Sequence, residues 1–231
     1  MTTRTARASV RPSAWMACAS AVALLLAGCA GNLLKSDAAP PDTFRLGAAA
    51  AAGAASASTT QPASALAIAV ARPRAAAAID TDRIAVHSAG NRFDYYSGAR
   101  WAETASQMLQ ENLVSALTAT SRFGGGVMTA PARVPTELLL DVELRRFEAV
   151  TAGADAASAG AAPVVHVQVQ ASLIDTRRAA RVTSFVSEAS VPASENRLGA
   201  VVAAFDLANA QVVSDIAARV QAAVGALPVS P

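Results

Sequence analysis

Between residues 165 and 173 the chain alternates without a break. Val165, Val167, Val169, Ala171 and Leu173 are apolar, and His166, Gln168, Gln170 and Ser172 between them are polar. A strand with one buried face and one wet face reads this way, because successive side chains point to opposite sides of a sheet. Such a strand is not stable alone, so the rest of the chain must supply its neighbours. Ahead of it, Leu138, Leu140, Val142 and Leu144 alternate with Leu139, Asp141, Glu143 and Arg145. Behind it, Asp175-Thr176-Arg177-Arg178 makes a turn, and residues 181–191, carrying Phe185 and Val186, return as its partner. Shorter strands are expected at residues 43–46, 66–70, 83–87 and 92–96, and at Val127-Met128, bounded by Pro73, Gly90-Asn91 and other turn signals.

After Trp101 the period changes. Ala105, Met108, Leu109, Leu113, Ala116 and Leu117 recur every three or four residues, and Gln107, Gln110 and Glu111 fill the other side. This is one face of an amphipathic helix, ended by Gly124-Gly125-Gly126. Val202, Phe205, Val212, Val213, Ile216 and Val220 predict a longer closing helix, with Ser194 as its N-cap and an end near Val224, before Gly225 and Pro228. Aromatic residues make up only 4% of the chain, so the core must rest on Val, Leu, Ile and Ala. The expected class is α+β: a mostly antiparallel (mixed) β-sheet with two main amphipathic helices packed on one face.

The N-terminus carries a separate signal. Arg4, Arg7 and Arg11 precede an apolar run over residues 14–27 with no acidic residue among them. A positive segment followed by a short apolar one is a secretory leader, and the run is too short for a spanning helix. It ends in Leu26-Ala27-Gly28-Cys29, which resembles the lipobox of bacterial lipoproteins. That resemblance implies removal of residues 1–28 as a signal peptide and acylation of Cys29. With Ala30 rather than Asp next, it also implies an outer-membrane anchor with the body facing the periplasm. Residues 29–65 then form a lipidated tether, a short strand and an Ala-rich linker, and residues 66–227 form the α+β domain. Cys18 lies in the leader, so the mature chain has no free thiol and no disulfide, and packing alone must stabilise it.

Charge and composition narrow the function further. Three of the 19 basic residues lie ahead of Cys29, leaving 16 against 17 acidic residues and a mature net charge of −1. No basic stripe is present, so a nucleic-acid partner is not expected. His87 and His166 sit on expected strands with no cysteine to join them, which leaves no metal site. No G-x-S-x-G elbow occurs, and Gly124-Gly125-Gly126 lacks the Gly-Lys-Ser/Thr ending of a phosphate cradle. Asp141 and Glu143 share a wet strand face with nothing to split their pKa values, and Asp80 and Asp82 are expected to pair with Arg83. No catalytic residue, metal or cofactor can be named, and the chain is expected not to be an enzyme. What remains is an aromatic and charged segment, Phe93–Glu103, containing Tyr95, Tyr96, Arg100 and Trp101. It suits a partner-binding surface or a structural motif packing the first helix against the sheet.

The order of these segments resembles the ABC-type transport auxiliary lipoprotein family, the PqiC-like proteins. The likeness runs through the lipobox, Phe44-Arg45-Leu46, residues 79–86, Tyr95-Tyr96 followed by Arg100-Trp101-Ala102, the helix with Leu109, Leu113 and Leu117, Leu173-Ile174-Asp175, and Ala204-Phe205 in the closing helix. It departs in the long alanine-rich stretch after Leu46 and in Arg177, where a glycine is usual. The resemblance implies a non-enzymatic component of an ABC transport system whose partner is an Mce-domain protein, assisting lipid trafficking between inner and outer membranes, and self-assembly into a homo-oligomer. The alternative is a periplasmic lipid-carrier or envelope-assembly lipoprotein not tied to a transporter.

Overall fold

The structure is a computed structural model that describes residues 40–47, 65–88, 92–151 and 160–227. The leader, Leu26, Ala27, Gly28 and Cys29, and most of the Ala-rich linker lie outside the described residues. Among the described residues the elements run β1 (Asp42–Phe44), β2 (Ile68–Val70), β3 (Arg74–Ala75), β4 (Arg83–Ser88), β5 (Arg92–Trp101), α1 (Ala105–Ala119), β6 (Val127–Thr129), β7 (Leu138–Val150), β8 (Val164–Asp175), β9 (Ala180–Pro192) and α2 (Leu198–Gly225).

The fold is α+β, with all the described strands in one mixed sheet. Its long pairings, β7–β8, β8–β9 and β4–β5, are antiparallel. Its short ones are parallel. The edge of β7 away from β8 is shared end to end by three strands: Leu138–Leu140 meets β2, Glu143 and Leu144 meet β3, and Ala149 and Val150 meet β4. β6 lies outside β2, β5 outside β4, and β1 outside β5. The sheet therefore forks, and β7 is the spine that holds both branches.

Two bulges lengthen strands that look short in sequence. The β7–β8 register shifts between Leu144 and Arg146, so Arg145 is an extra residue. That shift turns Phe147 and Ala149 to the buried side and lets β7 continue to Val150. In β5 a larger irregularity carries the strand on to Trp101.

α1 starts at Thr104, whose amide donates to Gln107 Oε1 at 3.3 Å, so the N3 glutamine reaches back to the cap residue. It ends at Thr120, whose hydroxyl donates to the Leu117 carbonyl at 2.6 Å, followed by Ser121 at positive φ. α2 starts later than the sequence suggests. Arg197, not Ser194, occupies the cap position, because Ala193 still donates to the Pro163 carbonyl at 2.9 Å and extends the sheet ladder past β9.

α2 is long and apolar enough, by length and composition, to cross a membrane, with a mean hydropathy of 1.3. Its apolar stripe, including Val201, Phe205, Val212 and Ile216, is instead buried against β8 and β9 and against α1. The apolar side of β8, from Val165 to Leu173, meets this stripe, and Trp101, Phe147 and Phe205 fill the centre. The first strand belongs to this body: β1 pairs with β5, and Leu46 just after it is buried in the core.

Candidate functional site

The aromatic and charged segment lies on β5, and its geometry follows from one irregularity. Tyr95 faces Ala85 of β4, and Arg100 faces Arg83, so residues 96–99 are set against Ile84 alone. Gly98 takes a φ of +69°, a conformation that costs glycine nothing and strains other residues. Beyond it β5 is clasped from both sides. Ala99, Arg100 and Trp101 pair with β1, and the Trp101 amide donates to the Asp82 carbonyl at 2.6 Å.

This excess sends the four residues of interest to different places. Trp101 is 1% exposed. Its ring lies edge-on to Phe205 at 5.3 Å and 5.9 Å from Phe147, inside the core. Tyr96 is half-buried, and burial pushes its phenol pKa up. Arg100 stays at the surface, 3.4 Å from the Thr43 hydroxyl and 4.0 Å from Asp82. Tyr95 lies on the outer face. Its hydroxyl donates to the Ala78 carbonyl at 3.0 Å, and the Arg83 guanidinium sits 3.8 Å above its ring. Asp82 thus approaches Arg100 rather than the expected Arg83, which is engaged with Tyr95.

The row continues along the β4–β5 pair. Phe93 stands edge-on to Tyr95 at 5.7 Å, and His87, directly opposite Phe93, lies 6.4 Å from it. Phe93 is 36% exposed, one of the few large apolar side chains at the surface. Asp94 points to the other face beside Arg92, and the Tyr95 amide, donating at 2.8 Å, holds its carboxyl below the usual range.

The residues weighed for chemistry are dispersed. Asp141 pairs with Arg74 at 3.0 Å, and Glu143 approaches Arg145 at 3.7 Å. His166 bonds Ser190 at 2.8 Å across β8 and β9, with its pKa lowered chiefly by burial. Among the described residues no group of three or more His, Cys, Asp or Glu could hold a metal. Gly125 and Gly126 make a tight turn after α1. The Gly125 amide donates to the Leu66 carbonyl, and the Gly126 carbonyl accepts from Ile68, which ties α1 to β2.

Sequence reasoning missed one polar junction. Glu137, just ahead of β7, accepts the Ala67 amide at 2.8 Å on one oxygen and Arg177 at 2.7 Å on the other. The only signal was Arg177 itself, noted because it stands where a glycine is usual.

Comparison with known proteins agrees with this architecture. The family described as ABC-type transport auxiliary lipoprotein component matches residues 44–217. A Xanthomonas campestris protein of the DUF330 family is 26% identical, with a TM-score of 0.64, over 72% of this chain and 90% of that one. A second solved structure, 13% identical with a TM-score of 0.55, covers 79% of this chain and 99% of its own, and shows the fold alone. No curated protein sequence matches the chain. The family match runs from the last residue of β1 into α2 and takes in β2 to β9: the chain belongs to the family of ABC-type transport auxiliary lipoprotein components.

Proposed function

We propose that this chain is the outer-membrane-anchored, periplasm-facing auxiliary lipoprotein of an ABC transport system of the Mce type. In this reading Cys29 is acylated and holds the protein to the membrane. The body docks on the Mce-domain partner, helps pass lipid between the inner and outer membranes, and does no covalent chemistry of its own. The observation that carries the reading is the match of the transport auxiliary family over residues 44–217, together with Leu26-Ala27-Gly28-Cys29 ahead of it.

The physical logic supports it. Several acyl chains on one residue contribute roughly 0.8 kcal/mol per buried methylene, enough for a lasting anchor. A core filled by Trp101, Phe147 and Phe205 makes a rigid body suited to positioning a partner. The pairing of β1 with β5 joins the tether directly to that body.

Two measurements test the reading. Intact mass analysis of protein made in a native-like host should show the chain beginning at an acylated Cys29. Mild cross-linking in that host, followed by purification, should recover an Mce-domain protein with its permease and ATPase. Recovery of an unacylated chain, or of cross-linked partners lacking any transporter component, overturns it.

A further inference from the structure

We propose that the outer face of the β4–β5 pair, formed by Arg83, His87, Phe93 and Tyr95, seats on the phospholipid headgroup layer of the membrane that holds Cys29. The inference rests on the acylation reading and adds an orientation to it.

β1 runs parallel to β5, with Asp42 opposite Ala99. The polypeptide ahead of Asp42 therefore leaves the sheet toward the earlier residues of β5, the end at which Ser88 faces Arg92. The opposite end of the sheet carries the β8–β9 turn and the end of α2. The chain that leads back to the anchor thus leaves the sheet beside Ala99, headed toward the end that presents the aromatic row.

Cys29 precedes Asp42 by 13 residues, which span at most about 45 Å when fully extended. Phe93 lies six residues before Ala99, within about 20 Å along the strand. A bilayer holding Cys29 is therefore within ordinary reach of Phe93.

Aromatic rings with a polar tip, and arginine stacked on them, partition to the headgroup layer, where one end is apolar and the other wet. His87, Phe93 and Tyr95 share one face by register, and Arg83 covers the Tyr95 ring from the same side. The one acidic residue within this stretch of β5, Asp94, points away to the other face. Among the described residues of the pair, no acidic side chain lies on this outer face.

The test uses the acylated full chain in vesicles of phosphatidylethanolamine and phosphatidylglycerol. The mature chain has no free thiol, so Phe93→Cys can carry a single fluorescent label, with Ser184→Cys on exposed β9 as the control. Arg92→Cys reports from the same end without touching the aromatic row. Lipids bearing a headgroup nitroxide should quench the label at 93 several-fold more than the label at 184, with the label at 92, on the other face of the same end, in between. Equal quenching at all three positions, or none at 93 and 92 in protein that floats with the vesicles, overturns the orientation alone. Protein that carries no acyl group by mass and does not float overturns the anchoring reading and the orientation with it.

Discussion

The carboxylate of Glu137 joins the Arg177 guanidinium at 2.7 Å while its second oxygen accepts the Ala67 amide at 2.8 Å. One side chain thereby ties the start of β2, the start of β7 and the β8–β9 turn together. Ala67 is buried, so removal of its acceptor leaves an amide without a partner, which costs about 1–3 kcal/mol. Glu137→Ala is expected to lower the unfolding free energy by that amount, read from the shift of the urea midpoint. Arg177→Ala keeps the Ala67 bond and gives up only an exposed ion pair, for a loss of about 1 kcal/mol or less. Equal losses in the two variants would show that the ion pair, not the amide, matters.

Stability should fall on the acid side. The Ala67 amide and Arg177 hold the Glu137 carboxyl below its usual range, and the Arg178 amide does the same for Asp175. His166 is lowered as well, chiefly by burial. A group whose folded pKa is depressed contributes stability that is present above its unfolded pKa and lost as pH falls through the folded value. His166 should therefore give a shallow loss beginning below about 6.5, and the carboxylates a steeper one below about 4. Asp94, with its side chain 55% exposed, should contribute little. Denaturation from pH 8 to pH 2 should show both limbs, with Glu137→Gln flattening the lower and His166→Gln the upper.

Trp101, Phe147 and Phe205 form one aromatic cluster, with Phe147 and Phe205 4.9 Å apart. It joins the end of β5, the far part of β7 and the first third of α2. Phe205→Ala should cost about 3–5 kcal/mol, because the hole lies where three elements meet. Phe93→Ala, on the exposed face, should cost less than about 1 kcal/mol. Thermal unfolding of both variants checks the contrast.

The elements legible in sequence were those whose side-chain period stays in phase. β8 keeps strict alternation over its length, and α1 and α2 keep their apolar stripes. What hid the rest is phase slip. Arg145 is a bulge residue, so Phe147 and Ala149 fall out of step with Leu144, and β7 looks as if it ends there. The three-residue excess at 96–99, four residues set against Ile84 alone, does the same to β5, and it also decides which way Trp101 points. Sequence alone marks Trp101 as either surface or core; the register puts it in the core. β3 has only two residues, too few to show a period. The Glu137 junction joins residues far apart in the chain, and no local pattern announces it.

Gly125 should tolerate no side chain. A Cβ there would stand 2.7 Å from the Ala67 amide nitrogen and 2.9 Å from the Ala65 carbonyl oxygen, both backbone atoms that cannot swing away. Gly125→Ala must push the post-α1 turn off β2, at about 1–3 kcal/mol. Gly126, at a φ of +96°, should lose about 1–2 kcal/mol as Ala through backbone strain alone. Amide exchange should speed up at Ile68 in both, since Ile68 donates to the Gly126 carbonyl.

Asn209 lies on the buried stripe of α2, 1% exposed, and neither its Oδ1 nor its Nδ2 has a hydrogen-bond partner among the described residues. On α1, which packs against α2, the buried Asn112 likewise has an unpartnered Nδ2. A buried amide that bonds nothing weakens a fold by about 1–3 kcal/mol, and Leu has the same branching in an apolar form. Asn209→Leu is therefore expected to raise the unfolding free energy by about 1 kcal/mol or more, read as a higher urea midpoint with an unchanged slope. A fall of similar size would mean that a buried water bonds the amide in solution, because displacing such a water orphans its remaining partners. The sign of this one change separates a dry helix interface that tolerates an idle polar group from a hydrated one that depends on it.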